Sequence, residues 1–107
     1  MAFSILKKLS EYDDNFTKFV SMLPDYYNRL KEAGYESLGN ELLEFAVEQG
    51  ADSKIVYSLL ANAFISMSKT DRLAELIEKA KQLNSLSRDG IVSMLESLQA
   101  DTASAGN

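Results

Sequence analysis

The chain has no cysteine and no histidine. The first absence excludes disulfides, thiolate metal sites and thiol catalysis. The second removes the commonest general base and the commonest transition-metal ligand together. Serines are plentiful, but none has a histidine to activate it. No glycine-rich phosphate loop is present. One proline and five glycines in 107 residues leave little room for an irregular fold. Basic residues are outnumbered too, 11 against 16 acids, for a net charge of −5. That balance argues against a general nucleic-acid binder, which needs a surplus of cations to neutralise phosphates. Neither enzymatic activity nor a cofactor is expected from such a chain.

Long hydrophobic runs are also missing. The most apolar stretch is residues 53–68, SKIVYSLLANAFISMS, in which ten of the thirteen residues from Ile55 to Met67 are apolar. It is short of the roughly 20 apolar residues that span a bilayer. Its three polar residues, Ser58, Asn62 and Ser66, recur every fourth position and so form one narrow strip on a helix. This is the pattern of a helix buried on most sides, and it is expected to be the central helix of an all-α domain. The polar strip reads as a place where another helix approaches closely, with Asn62 buried and hydrogen-bonded there.

The chain is organised as a single domain over residues 1–100, of five or six short antiparallel helices, stacked as hairpins or closed as a bundle. Apolar residues step by three and four from Phe3 to Leu23, giving one amphipathic helix. Pro24 is expected to end it and to start a short second helix that reaches Ala33 and turns inward through Tyr27, Leu30 and Ala33. Gly34 and Gly50 stand where C-terminal caps are wanted. Ser37, Ser53 (or Asp52), Thr70 (or Ser68) and Ser87 are candidate N-caps. Leu38, Leu42, Phe45 and Ala46 would form the inner stripe of the helix after Ser37. Residues 101–107, DTASAGN, have nothing to bury and are expected to be disordered. The N-terminal MAFSILKKLSEYDD lacks the basic-then-apolar order of a secretory signal, so a cytoplasmic protein is expected.

The cap candidates Ser37, Ser53, Thr70 and Ser87 are spaced 16, 17 and 17 residues apart, so a helical hairpin recurs about every 34 residues, the period of tetratricopeptide repeats. Tyr35, Leu38, Gly39 and Leu42 fit the first half of that pattern. The second half fails at Gly50 and Asp52, and 34 residues on, Lys69, Arg72 and Leu73 do not match either. The period is shared by any packed set of short helices, and no family is assigned.

Three functional readings follow. The favoured one is a small non-enzymatic protein-binding module, an adaptor, chaperone-like subunit or inhibitor. From Glu32 to Asp52 there are six acids and no Lys or Arg. Glu41, Glu44 and Glu48 fall within an arc of about 60° on a helix, and Phe45 sits at its edge. Tyr26, Tyr27 and Tyr35 add interface-type aromatics. The partner expected is another protein with a basic surface, with no direct nucleic-acid or membrane contact. A homodimer through the N-terminal helix is a further expectation. The second reading is a Mg²⁺-dependent nucleotide hydrolase that uses two E-x-x-E pairs, Glu41 with Glu44 and Glu75 with Glu78, since hard divalent ions take oxygen ligands. The third is an acidic nucleic-acid mimic that inhibits a DNA- or RNA-binding enzyme.

Overall fold

The computed structural model describes the backbone from Ala2 to Ala105 and side-chain surroundings from residue 15 to residue 103. Five α-helices follow one another: α1 (Ala2–Glu32), α2 (Glu36–Glu48), α3 (Lys54–Ser66), α4 (Thr70–Lys81) and α5 (Arg88–Ala105). No strand occurs among the described residues.

α1 runs unbroken through Pro24, so the helix break expected there does not occur. A mid-helix proline withdraws the N–H that would bond the carbonyl four residues back, here that of Val20, at a cost of about 3 kcal/mol. Leu23 and Tyr27 flank it, and both are buried. Burying one such side chain contributes about 1.5–3 kcal/mol, so the two together hold the segment helical. Leu30 is only half-buried and Ala33 is exposed, so Tyr27 alone carries the inward role assigned to this segment. At the other end α5 continues to Ala105, well into the segment expected to be disordered. The Thr102 hydroxyl donates to the Leu98 carbonyl at 2.9 Å, so the side chain turns back onto the helix it belongs to. Gly106 and Asn107 lie outside the described residues.

Each helix packs against its neighbours in sequence, and α3 also meets both α1 and α5, so it touches all four others. α1 reaches neither α4 nor α5, so among the described residues the ends do not close on each other. The helices therefore stack in two layers, α1, α3 and α5 in one and α2 and α4 in the other. The extents of 58 × 33 × 18 Å fit this, since the least dimension is that of two helix layers.

The connections explain which caps form. After α1, Gly34 adopts φ 89°; its N–H bonds the Lys31 carbonyl while that of Tyr35 reaches back to Leu30. After α2, Gly50 (φ 96°) and Ala51 repeat this pattern on Val47 and Ala46. After α3 it recurs with Ser68 (φ 57°) and Lys69 on Ile65 and Phe64. All three are Schellman turns, in which the left-handed residue lets two late carbonyls find donors. Where α2 and α4 begin directly after such a turn, their N-caps are Tyr35 and Lys69, which make no side-chain cap. Ser37 and Thr70 already lie inside the helices and do not cap them. The α2–α3 connection is longer, and there Ser53 does cap, accepting the Val56 N–H at 3.3 Å. Asp52 instead accepts the Ser85 hydroxyl at 2.7 Å and ties this connection to the one before α5.

Ser68 holds the left-handed conformation with a Cβ, which costs roughly 1–2 kcal/mol. Ser68→Gly removes that strain, and greater freedom of the unfolded chain takes back about 0.4–1 kcal/mol. A net gain of about 0.5–1 kcal/mol is expected in urea denaturation. A loss would show that the hydroxyl matters more than the backbone strain.

The core is apolar throughout, with no buried charged or polar residue type among those described. Val56, Tyr57, Leu60, Ala61 and Phe64 of α3 line one side of that helix. Its polar strip faces the other way: Ser58 is half-buried, and Asn62 and Ser66 are exposed. The expected helix contact at that strip is absent, because the four neighbours of α3 crowd onto its apolar side.

Tyr57 is fully buried, and its hydroxyl has no hydrogen-bond partner among the described residues. Burial pushes its phenol above the usual 10.0, and the nearby Asp52 carboxylate adds to this. Tyr27 is raised in the same way, by burial and then by Glu36. A folded state that holds these protons more tightly than the unfolded chain has its full stability below pH 10. Above it stability falls, by at most about 1.4 kcal/mol per pH unit for each tyrosine. Tyr57→Phe removes an unpaired buried hydroxyl, so it should gain about 1 kcal/mol at neutral pH and flatten the decline above pH 10. Chemical denaturation at pH 7 and pH 11 checks both. A variant less stable than wild type at pH 7 would show that the hydroxyl is satisfied in solution.

Candidate functional site

The acidic helix face of residues 41–48 lies on α2. Glu41 and Glu48 are exposed and form no ion pair among the described residues. Glu44 differs. Its Oε1 accepts from Arg72 Nη2 at 2.7 Å, across to α4. Arg72 also approaches Glu75 at 3.5 Å and lies over the Phe64 ring, 5.1 Å from its centroid. The charge of Glu44 is thus compensated from another helix, which the sequence of α2 alone does not reveal. The pair is partly exposed, so it contributes modestly to stability and mainly registers α2 against α4.

Arg72 also bears on the two E-x-x-E pairs. The fold brings Glu44 and Glu75 near each other, and the Arg72 guanidinium stands between them. Among the described residues, no group of three or more acids is placed to hold a metal ion. The cleft beside this clamp is 150 Å³, and its lining carries both signs, Glu44, Glu48 and Glu75 with Arg72 and Lys79.

The tyrosines separate. Tyr27 is buried against α2, and its hydroxyl donates to Asn40 Oδ1 at 3.1 Å, so it takes no part in a surface. Tyr26 and Tyr35 are exposed, 50% and 61%. Phe45, expected on the inner stripe of α2 as well as at the edge of the acidic face, is 46% exposed and meets Phe19 of α1 edge-on, ring centroids 6.2 Å apart. Leu38, also expected on the inner stripe, is 44% exposed. Its place is taken by Gly39, where the backbones of α1 and α2 close in: a Cβ on Gly39 would lie 2.8 Å from the Tyr27 ring.

These contacts fix how the hairpin is read from outside. Tyr27 against Gly39 and Phe19 against Phe45 set the antiparallel register of α1 and α2. In that register Tyr26 comes level with Leu38. Met22, 67% exposed, lies one turn before Tyr26 on the same face. Met22, Tyr26, Leu38 and Phe45 therefore form one apolar ridge along the outer face of the hairpin. Glu41 and Glu48 run along its α2 flank without an ion pair among the described residues, and Glu48 also borders the cleft lined by Arg72 and Lys79. The α1 flank carries both signs, with Asp25 and Arg29 paired at 3.1 Å. Sequence reasoning missed Met22 and Leu38, since a residue at helical spacing reads as core until the partner helix is placed.

No helix among the described residues is long and apolar enough to cross a membrane. Comparison of the chain with protein-family models, with curated protein sequences and with solved structures gave no match.

Proposed function

We propose that this protein is a non-enzymatic binding module that docks a basic protein surface on the outer face of its α1–α2 hairpin. One observation carries the reading: a row of exposed large apolar side chains lies beside Glu41 and Glu48, acids that form no ion pair among the described residues. An exposed apolar row with a polar edge is the composition of an interaction site. The one-signed flank supplies long-range attraction and orientation. Glu44 is engaged by Arg72, so the unpaired acids left to meet a partner are Glu41 and Glu48, the latter at the edge of the cleft that Arg72 and Lys79 also line.

The test uses the chain immobilised beside its Glu41→Lys/Glu48→Lys variant, each challenged with nuclease-treated lysate of the source cells. A protein held at 0.1 M salt and absent from the variant is expected. It should be released at 1 M salt, as the Debye length falls from about 10 Å to about 3 Å. Far-ultraviolet circular dichroism should show both columns equally folded. Equal retention on the folded variant would remove the acidic flank from the binding surface. Capture only of a nucleic-acid-binding enzyme, competed away by DNA or RNA, would make the protein an acidic mimic instead.

A further inference from the structure

The two ends of the helical stack are finished differently. At one end α5 presents no exposed large hydrophobic residue among those described; Ile91 and Leu95 are buried, and Val92, Met94 and Leu98 are half-covered. At the other end, α1, α2 and the turn between them expose five among the described residues: Met22, Tyr26, Tyr35, Leu38 and Phe45. Stacked-helix proteins need a polar outer face on their terminal units, because each unit buries its apolar side only against a neighbour. α5 has such a face, with the exposed Leu86 in the connection before it. The α1–α2 end does not.

The layer pattern says what would fit there. α2 lies against both α1 and α3, and α4 against both α3 and α5. Continuing that alternation outward puts one more helix against α1 and alongside α2, over the ridge. We propose that the occupant is an amphipathic helix of a partner protein, laid along Met22, Tyr26, Leu38 and Phe45, with Lys or Arg on the flank that meets Glu41 and Glu48. Its apolar stripe replaces the missing neighbour over about two turns, since Leu38 to Phe45 and Phe19 to Tyr26 each span about 10 Å. The flanks differ and so orient it: the α2 side carries the unpaired Glu41 and Glu48, the α1 side the Asp25–Arg29 pair. This deepens the docking proposed above, rests on it, and specifies the form of the partner.

The probe is a fluorescein-labelled synthetic peptide of about five turns with leucine at amphipathic spacing and lysine along one flank. Its control is a peptide of the same composition with the order scrambled. Anisotropy titration against the full chain should give an affinity at least about tenfold higher for the amphipathic peptide. Phe45→Ala and Tyr26→Ala should each lower that affinity by about tenfold or more, while Ile55→Ala, an exposed apolar site elsewhere, should leave it unchanged. Equal affinity for both peptides, still lost in Glu41→Lys/Glu48→Lys, would overturn the helix proposal and leave the basic-surface reading standing. Indifference to all of these substitutions would overturn both. Sedimentation of the free chain as a dimer that Phe45→Asp converts to monomer would also overturn it, with a second copy as the occupant.

Discussion

Leu60→Ala should lower the stability of the fold by about 2–5 kcal/mol, the range for emptying a buried leucine site. Leu60 is 2% exposed and stands in the middle of α3. α3 is the helix that touches every other one, so a cavity there faces walls held by several elements and relaxes little. Val56 and Phe64, one turn to either side, are buried too. Urea denaturation with an unchanged m-value is the measurement. A loss below about 1 kcal/mol would mean that α3 is not the centre of the core.

Gly39→Val should cost about 2–3 kcal/mol, for the opposite reason. Here the site has no room. Even the Cβ of alanine would meet Tyr27 Cδ1 at 2.8 Å and Cε1 at 3.1 Å. The ring cannot simply swing aside, since Tyr27 is 4% exposed and its hydroxyl is tied to Asn40. Overpacking of this kind costs about 1–3 kcal/mol. Valine adds two methyl groups to the clash, and its better helix propensity returns only a few tenths. A double-mutant cycle with Tyr27→Leu separates the terms. In that background the Gly39→Val penalty should largely vanish. If the penalty persists without the ring, the close approach of α1 and α2 is limited by backbone rather than by Tyr27.

The amphipathic stripes carried most of the architecture. The apolar period of residues 55–67 identified the central helix because its burial is decided within one segment. What failed depended on other segments. Pro24 reads locally as a break, and it is overridden by Leu23 and Tyr27, whose value exists only once α2 is in place. Leu38 and Phe45 share a stripe with Leu42 and Ala46, and the sequence cannot say where α1 stops covering it. Glu44 lacks a cation within its own helix, but Arg72 arrives from 28 residues away. The acidic face and Phe45 were legible as a candidate surface because charge and aromatics can be counted along one helix. The ridge was not, because Met22 and Tyr26 join Leu38 and Phe45 only through the hairpin register. The caps failed at Ser37 and Thr70 because a three-residue reversal leaves no residue free to stand outside the helix.

The proposed docking face is tested most directly by amide and methyl chemical-shift mapping of the isotope-labelled chain titrated with the basic amphipathic peptide. The fold and the site together predict perturbations that centre on Met22, Tyr26, Leu38, Glu41, Phe45 and Glu48 and fade toward α5. Shifts that centre instead on the 490 Å³ groove between α1 and the α2–α3 connection, around Pro24 and Ile55, would contradict the account.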